Sequence, residues 1–369
     1  MSRRWGDGMI AVVKVGTSSI TTATGELDDA AVLKLCGDVA AARVEGHAVV
    51  LVCSGAIAAG LPALGLRTRP SDIGTLQAIA AVGQPRLMER IGAILAQHDL
   101  VAGQVLLTPH DFAQRAQYLH ARETLARLLG LGVVPVVNEN DTIADDEIRY
   151  GDNDRLAALV SHLVGADVLV LLTDTPGLFT ADPRLDSEAS LIEEIAEVDA
   201  ALESVAGGSG TARGSGGMAS KLAAAKIAAW SGVRAVIAAA DAPGVVVGAL
   251  QGDAVGTAIQ PRSTRLQSRK LWIAFAQAAG GRVAVDAGAE RALRHDGRSL
   301  LPAGVTGVEG AFGPDEAVEV VDEAGRPFAK GLVRLSASAL RGVAGRRTRD
   351  LPEGTPHEVI HRDDLVVLP

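Results

Sequence analysis

Residues 133–160 read VVPVVNENDTIADDEIRYGDNDRLAALV, and this stretch decides the fold. Its apolar start, Val133–Val137, is typical of a buried strand, and the spacing of Leu156–Leu163 is that of a helix. Open α/β sheets bind ligands where a strand ends and the next helix begins. The polar residues in between therefore predict a ligand site. The alternative is that Asp152 merely caps the helix and Asp154 merely favours its first turn.

The same alternation of strand and helix continues on both sides of this stretch. Further apolar runs predict strands at 9–15, 49–53, 101–108, 168–172 and 233–238, of which 9–15 and 168–172 are predicted to be buried. Helical spacing predicts one or two helices over 75–97, interrupted near Pro85, and another helix over 191–205. Strands that are apolar on both sides indicate a mostly parallel sheet covered on both faces. The predicted fold class is therefore α/β, a three-layer αβα sandwich.

The pattern changes near residue 260. The segment 260–269 contains Pro261 and several Arg and Ser residues, and short strands separated by Gly turns follow it. Such a change in composition marks a domain boundary. We predict a first domain at 1–262, a linker at 263–278, and a small β-rich domain at 279–369.

The distribution of charge along the chain argues against binding to nucleic acid. The net charge is −9, and the acidic excess lies before residue 263, because 263–369 contains 15 basic and 14 acidic residues. An acidic first domain repels nucleic acid, so RNA is not an expected partner. One basic cluster in the second domain is interpreted as a solvated face: Arg341, Arg346, Arg347 and Arg349.

Several kinds of protein are not expected from this sequence. No apolar run reaches the length of a transmembrane helix, and Lys14 interrupts the first apolar run, which argues against a signal peptide. Cys36 and Cys53 have neither metal-ligand nor CxxC spacing, so both are predicted to be buried, reduced thiols. The histidines show no metal-ligand spacing, so no protein metal site is predicted. These features favour a cytoplasmic enzyme.

Four small-residue turns are candidates for anion binding. They are Lys14–Ser18, Ser54–Ala56, Thr173-Asp174 and Gly214–Lys221. Turns of this kind let backbone N–H groups approach an anion, and a helix N-terminus adds partial positive charge. Each turn has a purely structural alternative, such as a mobile loop or a helix cap. Their combination favours a polyphosphate site.

The same turns carry a family resemblance. The segments VVKVGTSSIT, SGAIAAG, VNEND, YGDNDRLAALV, LLTDTPGLFTADPR and GSGGMASKLAAAKIA closely resemble bacterial glutamate 5-kinases of the amino-acid kinase family. SLLPAGV, FAKGLVRLS and EVIHRDDLVVL are similar to the PUA domain that many of these enzymes carry. The resemblance implies the amino-acid kinase fold. It also implies transfer of the γ-phosphoryl group of MgATP to the side-chain carboxylate of L-glutamate, the first step of proline biosynthesis.

The resemblance also implies roles for individual residues. Lys14 and Lys221 would hold the phosphates and stabilise the transition state, and Asp154 would orient the two lysines. A carboxylate nucleophile is already ionised at neutral pH, so the reaction needs no general base. Catalysis then reduces to positioning and cationic stabilisation.

The remaining implied residues bind the two substrates. The amino acid would be bound by Ser54, Asp141, Asn153 and Asn138, and a carboxylate at Asp141 suits an ammonium group. Asp152 is a further candidate for organising the site. ATP would be bound by Lys14, Gly16, Thr173, Asp174, Ser215, Gly216, Gly217, Met218, Ala219, Ser220 and Lys221. Ser215 and Ser220 depart from the family's usual Thr, which bears on ATP affinity.

Partners follow from the same resemblance. Mg²⁺ would be carried on the ATP phosphates with few protein ligands. Proline would inhibit by competing near the glutamate pocket through the loop 142–150, and a homo-oligomer, either a dimer or a tetramer, is expected. Two alternatives remain: a sister acetylglutamate, aspartate or carbamate kinase, and an RNA-binding protein that acts through its PUA domain.

Overall fold

A computed structural model describes residues 8–22, 24–143, 153–183, 185–186, 188–199, 202, 217–262, 266 and 268–368. The chain divides into two compact units, Met1–Arg265 and Leu266–Pro369. Residues 268–276, which were predicted to be part of a linker, form helical turns of the second unit.

A mostly parallel sheet forms the centre of the first unit. Its strand order is β3-β4-β2-β1-β5-β7-β8-β6, and within the described residues β8 is antiparallel to β7 while the other pairs are parallel. The strands are β1 (Ile10–Val15), β2 (Ala48–Cys53), β3 (Ala102–Leu107), β4 (Val134–Glu139), β5 (Val168–Thr173), β6 (Glu194–Ile195), β7 (Arg234–Ala239) and β8 (Thr257–Ile259).

Helices cover both faces of this sheet, which confirms the predicted α/β class. They are α1 (Asp29–Val44), α2 (Ala56–Ala63), α3 (Ile73–Ala96), α4 (Pro109–Ala113), α5 (Arg115–Gly130), α6 (Asn153–Val164), α7 (Met218–Trp230) and α8 (Val245–Gln251). On one face Ala11, Val13 and Val15 of β1 join a core with α1, α3 and α8. On the other face, Lys14 reaches the buried helix α6.

The order of the strands determines where a ligand can bind. From β1 the chain passes to β2 on one side, and β5 pairs with β1 on the other side. The connections therefore diverge at β1, and a crevice opens beyond the carboxyl ends of the strands at such a point. Lys14 and Thr173 lie at the carboxyl ends of β1 and β5, and Ser54 follows the end of β2.

Two helix predictions were wrong. Helix α3 runs without interruption from Ile73 to Ala96, with Pro85 inside it, because packing against α2 and β3 outweighs the hydrogen bond that Pro85 cannot donate. Residues 191–199 are not helical: Glu194–Ile195 forms the edge strand β6 beside β8. Ile192, Ile195 and Val198 are three residues apart, and this spacing imitates a helix; the remainder of the predicted segment lies largely outside the described residues.

The second unit contains a five-stranded sheet in the order β10-β9-β11-β12-β13. Its elements are α9 (Ser268–Leu271), a π-helical turn at Trp272–Ala276, β9 (Ala279–Val285), α10 (Ala287–Arg294), β10 (Val305–Gly310), β11 (Ala317–Val321), β12 (Pro327–Leu332), α11 (Ala337–Val343) and β13 (Leu365–Val367). Val283, Phe328 and Leu340 belong to its own apolar core. The unit is strand-rich, as the sequence predicts.

The cysteines are buried and form no disulfide. Burial raises the pKa of both Cys36 and Cys53 to about 12, so both stay protonated and unreactive at neutral pH. No helix among the described residues is both long and apolar enough to cross a membrane.

Candidate active site

Lys14 is the second-last residue of strand β1. Its flanking strand residues are apolar and fully buried, and Lys14 as a whole residue is 4% exposed. Gly16 follows the strand and precedes a short 3-10 turn at Thr17–Ser19. A Cβ at Gly16 would lie 3.6 Å from the amine of Lys14, so glycine keeps the space beside that cation open.

Helix α6 begins directly opposite this lysine. Asp154 in its first turn is fully buried, and its Oδ1 lies 2.5 Å from Lys14 Nζ. Its Oδ2 lies 3.3 Å from Lys221 Nζ, and Lys221 is 5% exposed. Two ammonium groups from β1 and α7 therefore meet at one carboxylate.

The electrostatics of Asp154 reflect this pairing. Burial alone would raise its pKa, but the two lysines and a hydrogen bond from Ser220 hold the pKa of Asp154 below its ordinary value. The carboxylate is therefore ionised at neutral pH. The three groups together carry one formal excess positive charge in a buried site.

The start of α7 contributes a further contact. Ser220 Oγ lies 2.8 Å from Asp154 Oδ2 and 2.9 Å from the carbonyl oxygen of Gly217, so the hydroxyl connects the helix start to the carboxylate. Met218, Ala219 and Lys221 lie in the same first turn. Ser215 and Gly216 are outside the described residues.

Thr173 and Asp174 lie at the end of β5. The Thr173 hydroxyl is 3.1 Å from Asp174 Oδ1; Thr173 is buried and Asp174 is exposed. The role of Thr173 and Asp174 in ATP binding stays a prediction. The same holds for Gly16 and for the residues at the start of α7. Asp152 lies outside the described part of the chain.

A cluster of polar side chains surrounds Asn153, the residue that directly precedes Asp154. Asn153 Nδ2 donates to Ser54 Oγ at 2.7 Å, to Asn138 Oδ1 at 3.0 Å and to the Cys53 carbonyl at 3.3 Å. Asn153 and Asn138 are buried, and Ser54 is half-buried. The structure thus brings three of the four predicted amino-acid-binding residues together. The sharp turn after Ser54 depends on Gly55, whose φ of +113° favours glycine.

Asp141 is the fourth predicted residue. It lies two positions beyond the end of β4 and is half-buried. Burial raises the pKa of Asp141 to about 6, although the positive charge of Arg69 opposes that shift. Residues 144–150 of the predicted proline loop lie outside the described residues.

One buried polar residue was missed by the sequence analysis. Gln84, on α3, is 8% exposed, and its Oε1 accepts a hydrogen bond of 2.8 Å from Asn138 Nδ2. Its position between Gly83 and Pro85 is the only local signal in the sequence. Across the described residues there is no group of three or more His, Cys, Asp or Glu arranged to hold a metal ion.

Both parts of the chain match known protein families. Residues 9–239 match the model of the amino acid kinase family, and residues 281–354 match that of the PUA domain. The chain is 45% identical to the glutamate 5-kinase of Moorella thermoacetica over 97% of this chain and 96% of the relative. It is 46% identical to that of Nitrosospira multiformis, over 97% of each chain.

A third relative gives the same result. The glutamate 5-kinase of Variovorax paradoxus is 44% identical over 98% of this chain and 97% of its own length. The similarity therefore spans both units, with the larger unit matching the kinase model and the smaller one the PUA model. This chain belongs to the amino acid kinase family, with glutamate 5-kinases as its near relatives and a PUA domain at its C-terminal end.

Proposed function

We propose that the protein transfers the γ-phosphoryl group of MgATP to the side-chain carboxylate of L-glutamate. The product is L-glutamyl 5-phosphate, and the reaction is the first step of proline biosynthesis. The observation that carries the proposal is the pair of buried lysines on Asp154, set beside the amide cluster of Asn138, Asn153 and Ser54. The near relatives are glutamate 5-kinases, which supports the same substrate.

The chemistry follows from these groups. A glutamate carboxylate oxygen forms a bond to the γ-phosphorus while the bond to the β,γ-bridging oxygen breaks, and ADP leaves with that electron pair. Lys14 and Lys221 oppose the repulsion between the two anions and stabilise the charge on the transferring group. Asp154 keeps both ammonium groups in place and accepts no proton. Mg²⁺ enters as part of the nucleotide substrate and neutralises phosphate charge.

The amide cluster and Asp141 suit the amino-acid end of the substrate. Asp141 offers a carboxylate to the ammonium group, and Ser54 offers a hydroxyl. Other parts of the proposal rest on the family resemblance. They are inhibition by proline near this pocket and assembly into a dimer or tetramer. A cytoplasmic location rests instead on the sequence features that argue against a signal peptide and a disulfide.

A substrate panel tests the proposed function. With ATP and hydroxylamine present, the acyl phosphate is trapped as a hydroxamate, and we expect rapid formation with L-glutamate. N-acetyl-L-glutamate lacks the ammonium group and L-aspartate is one methylene shorter, so both are expected to react at least ~10-fold more slowly. Faster phosphorylation of either acid, or of carbamate measured by ADP release, would assign a sister kinase instead.

The raised pKa of Asp141 predicts a dependence on pH. Only the ionised carboxylate attracts the substrate ammonium, so kcat/KM for L-glutamate should fall as the pH drops through about 6. Below that value we expect a loss of about tenfold per pH unit. The kcat/KM for ATP is the internal control and should not share this break. Asp141→Asn should abolish the break; its persistence in that variant would assign the titration to another group.

A further inference from the structure

A chain of side-chain amides leads from helix α3 to the proposed glutamate site. Gln104 on β3 accepts from Gln84 Nε2 at 3.4 Å, and Gln84 accepts from Asn138 at 2.8 Å. Asn138 in turn accepts from Asn153 at 3.0 Å, and Asn153 donates to Ser54 at 2.7 Å. We call Gln84, Asn138, Asn153 and Ser54 the amide relay.

Backbone groups fix the direction of every bond in the amide relay. The Glu139 N–H can only donate, and it donates to Asn138 Oδ1 at 2.9 Å. The Nδ2 of Asn138 must therefore face Gln84, which must present its Oε1. At the other end, the Cys53 carbonyl can only accept, so the Asn153 atom that faces it is Nδ2. If any one of these side-chain amides were rotated by half a turn, its NH2 group would face another donor or its oxygen would face another acceptor.

This direction determines what the relay presents to a substrate. The oxygen of Ser54 already accepts from Asn153, so the hydroxyl hydrogen of Ser54 is directed elsewhere, as a donor. The Oδ1 of Asn153 is a buried acceptor, and it has no hydrogen-bond partner among the described residues. A donor and an acceptor side by side match an amino acid, whose carboxylate accepts and whose ammonium donates.

Helix packing holds Gln84 in position. A Cβ at Gly83 would overlap the carbonyl oxygen of Ala56, and one at Gly60 would overlap that of Ile79. The backbones of α2 and α3 therefore lie in direct contact, and α2 begins immediately after Ser54 and Gly55. Gln84 is thus fixed to the same pair of helices that orients Ser54.

We propose that Gln84 is a positioning residue for the amino-acid substrate. By accepting from Asn138 Nδ2 it anchors the Asn138 amide, whose oxygen receives the hydrogen bond from Asn153, and so holds Asn153 and Ser54 where they present an acceptor and a donor. Gln84 itself contacts no substrate in this proposal. The inference rests on the proposed function for the identity of the substrate, but the direction of the relay rests on the hydrogen bonds alone.

Two variants of Gln84 separate this role from a structural one. Gln84→Met keeps the length of the side chain but removes the acceptor, leaving the buried Asn138 amide unsatisfied. We expect KM for L-glutamate to rise about tenfold, while kcat and KM for ATP stay within about threefold. Gln84→Glu keeps an acceptor for Asn138 and loses only the 3.4 Å donation to Gln104, which is exposed and can turn its amide to donate instead, so KM for L-glutamate should return to within about threefold of the wild type.

Ile91→Val on the same helix is the matched control. Ile91 is fully buried, and its truncation destabilises α3 without touching the amide relay. It should lower the melting temperature but leave KM for L-glutamate unchanged. If Gln84→Met behaves in the same way, or if Gln84→Glu does not restore KM, the proposal is wrong.

Binding experiments keep this test independent of the reaction. Calorimetric titration with L-glutamate and with glutarate, which lacks the ammonium group, measures the preference for an amino acid. In Gln84→Met this preference should fall about tenfold, and an unchanged preference contradicts the proposal. If the wild type phosphorylates another acid of the panel, the proposed function fails, and the same variants are compared on that acid.

Discussion

Lys221→Ala is expected to lower kcat by about two to three orders of magnitude while KM for L-glutamate stays within about twofold. Lys221 is buried, and its amine lies 3.3 Å from Asp154, across from Lys14. In the proposed mechanism, an ammonium group in this position stabilises the transferring phosphoryl group, whose negative charge spreads over its oxygens in the transition state. It makes little difference to the binding of the amino acid.

The measurement is a steady-state titration of L-glutamate at saturating ATP, with hydroxamate as the readout. Lys34→Ala is the matched control, because it also removes a lysine that pairs with an aspartate, at 2.7 Å, on helix α1. That variant should keep wild-type kcat. A Lys221→Ala protein with unchanged kcat would remove Lys221 from the mechanism.

Asp154→Asn should affect both stability and activity. Asp154 is fully buried between two lysines, so its neutralisation removes the carboxylate that both buried ammonium groups share. Breaking a buried ion pair in this way typically costs about 3–5 kcal/mol of unfolding free energy. We also expect kcat to fall at least ~100-fold, because neither lysine keeps its position.

The pH dependence of that stability loss has a definite sign. The pKa of Asp154 is lowered in the folded protein, so its stabilisation is complete above the ordinary value of 3.8 and is lost as the pH falls through the folded value. The difference between wild type and Asp154→Asn should therefore be full at pH 7 and shrink below pH 3.8. Urea unfolding at several pH values measures it.

Asp38→Asn provides the comparison for this experiment. Asp38 pairs with Lys34 at 2.7 Å, but that lysine is 29% exposed. Partial exposure weakens such a pair, so the substitution should cost no more than about 1 kcal/mol. An equal cost for the two variants would mean that the buried cluster has no special electrostatic importance.

The central sheet could be predicted from the sequence because its strands are long, apolar runs bounded by glycine and polar residues. Strand β6 could not be predicted, because a strand of two residues is too short to show a period of its own. The apolar residues around it, Ile192, Ile195 and Val198, have helical spacing instead. The continuity of α3 through Pro85 depends on tertiary packing, which local propensity does not contain.

Some residues of the candidate site could also be predicted from the sequence, and others could not. Residues at strand ends, such as Lys14 and Asn138, could be selected from the sequence, because parallel strands end at a common edge. Gln84 could not, because it is 54 positions away from Asn138 and lies within a helix. The backbones of α2 and α3 touch at Gly60 and Gly83, and the local sequence around Gln84 does not contain this tertiary packing.

The excess positive charge of the Lys14–Asp154–Lys221 cluster also bears on how long the folded chain persists. Lys14 and Lys221 are buried ammonium groups, and an incoming polyphosphate would add favourable charge interactions with both of them to the folded state. Nucleotide binds the native state and not the unfolded chain, so it shifts the folding equilibrium by mass action. The concentration of ATP in the surrounding medium would then govern the lifetime of this protein as well as its turnover.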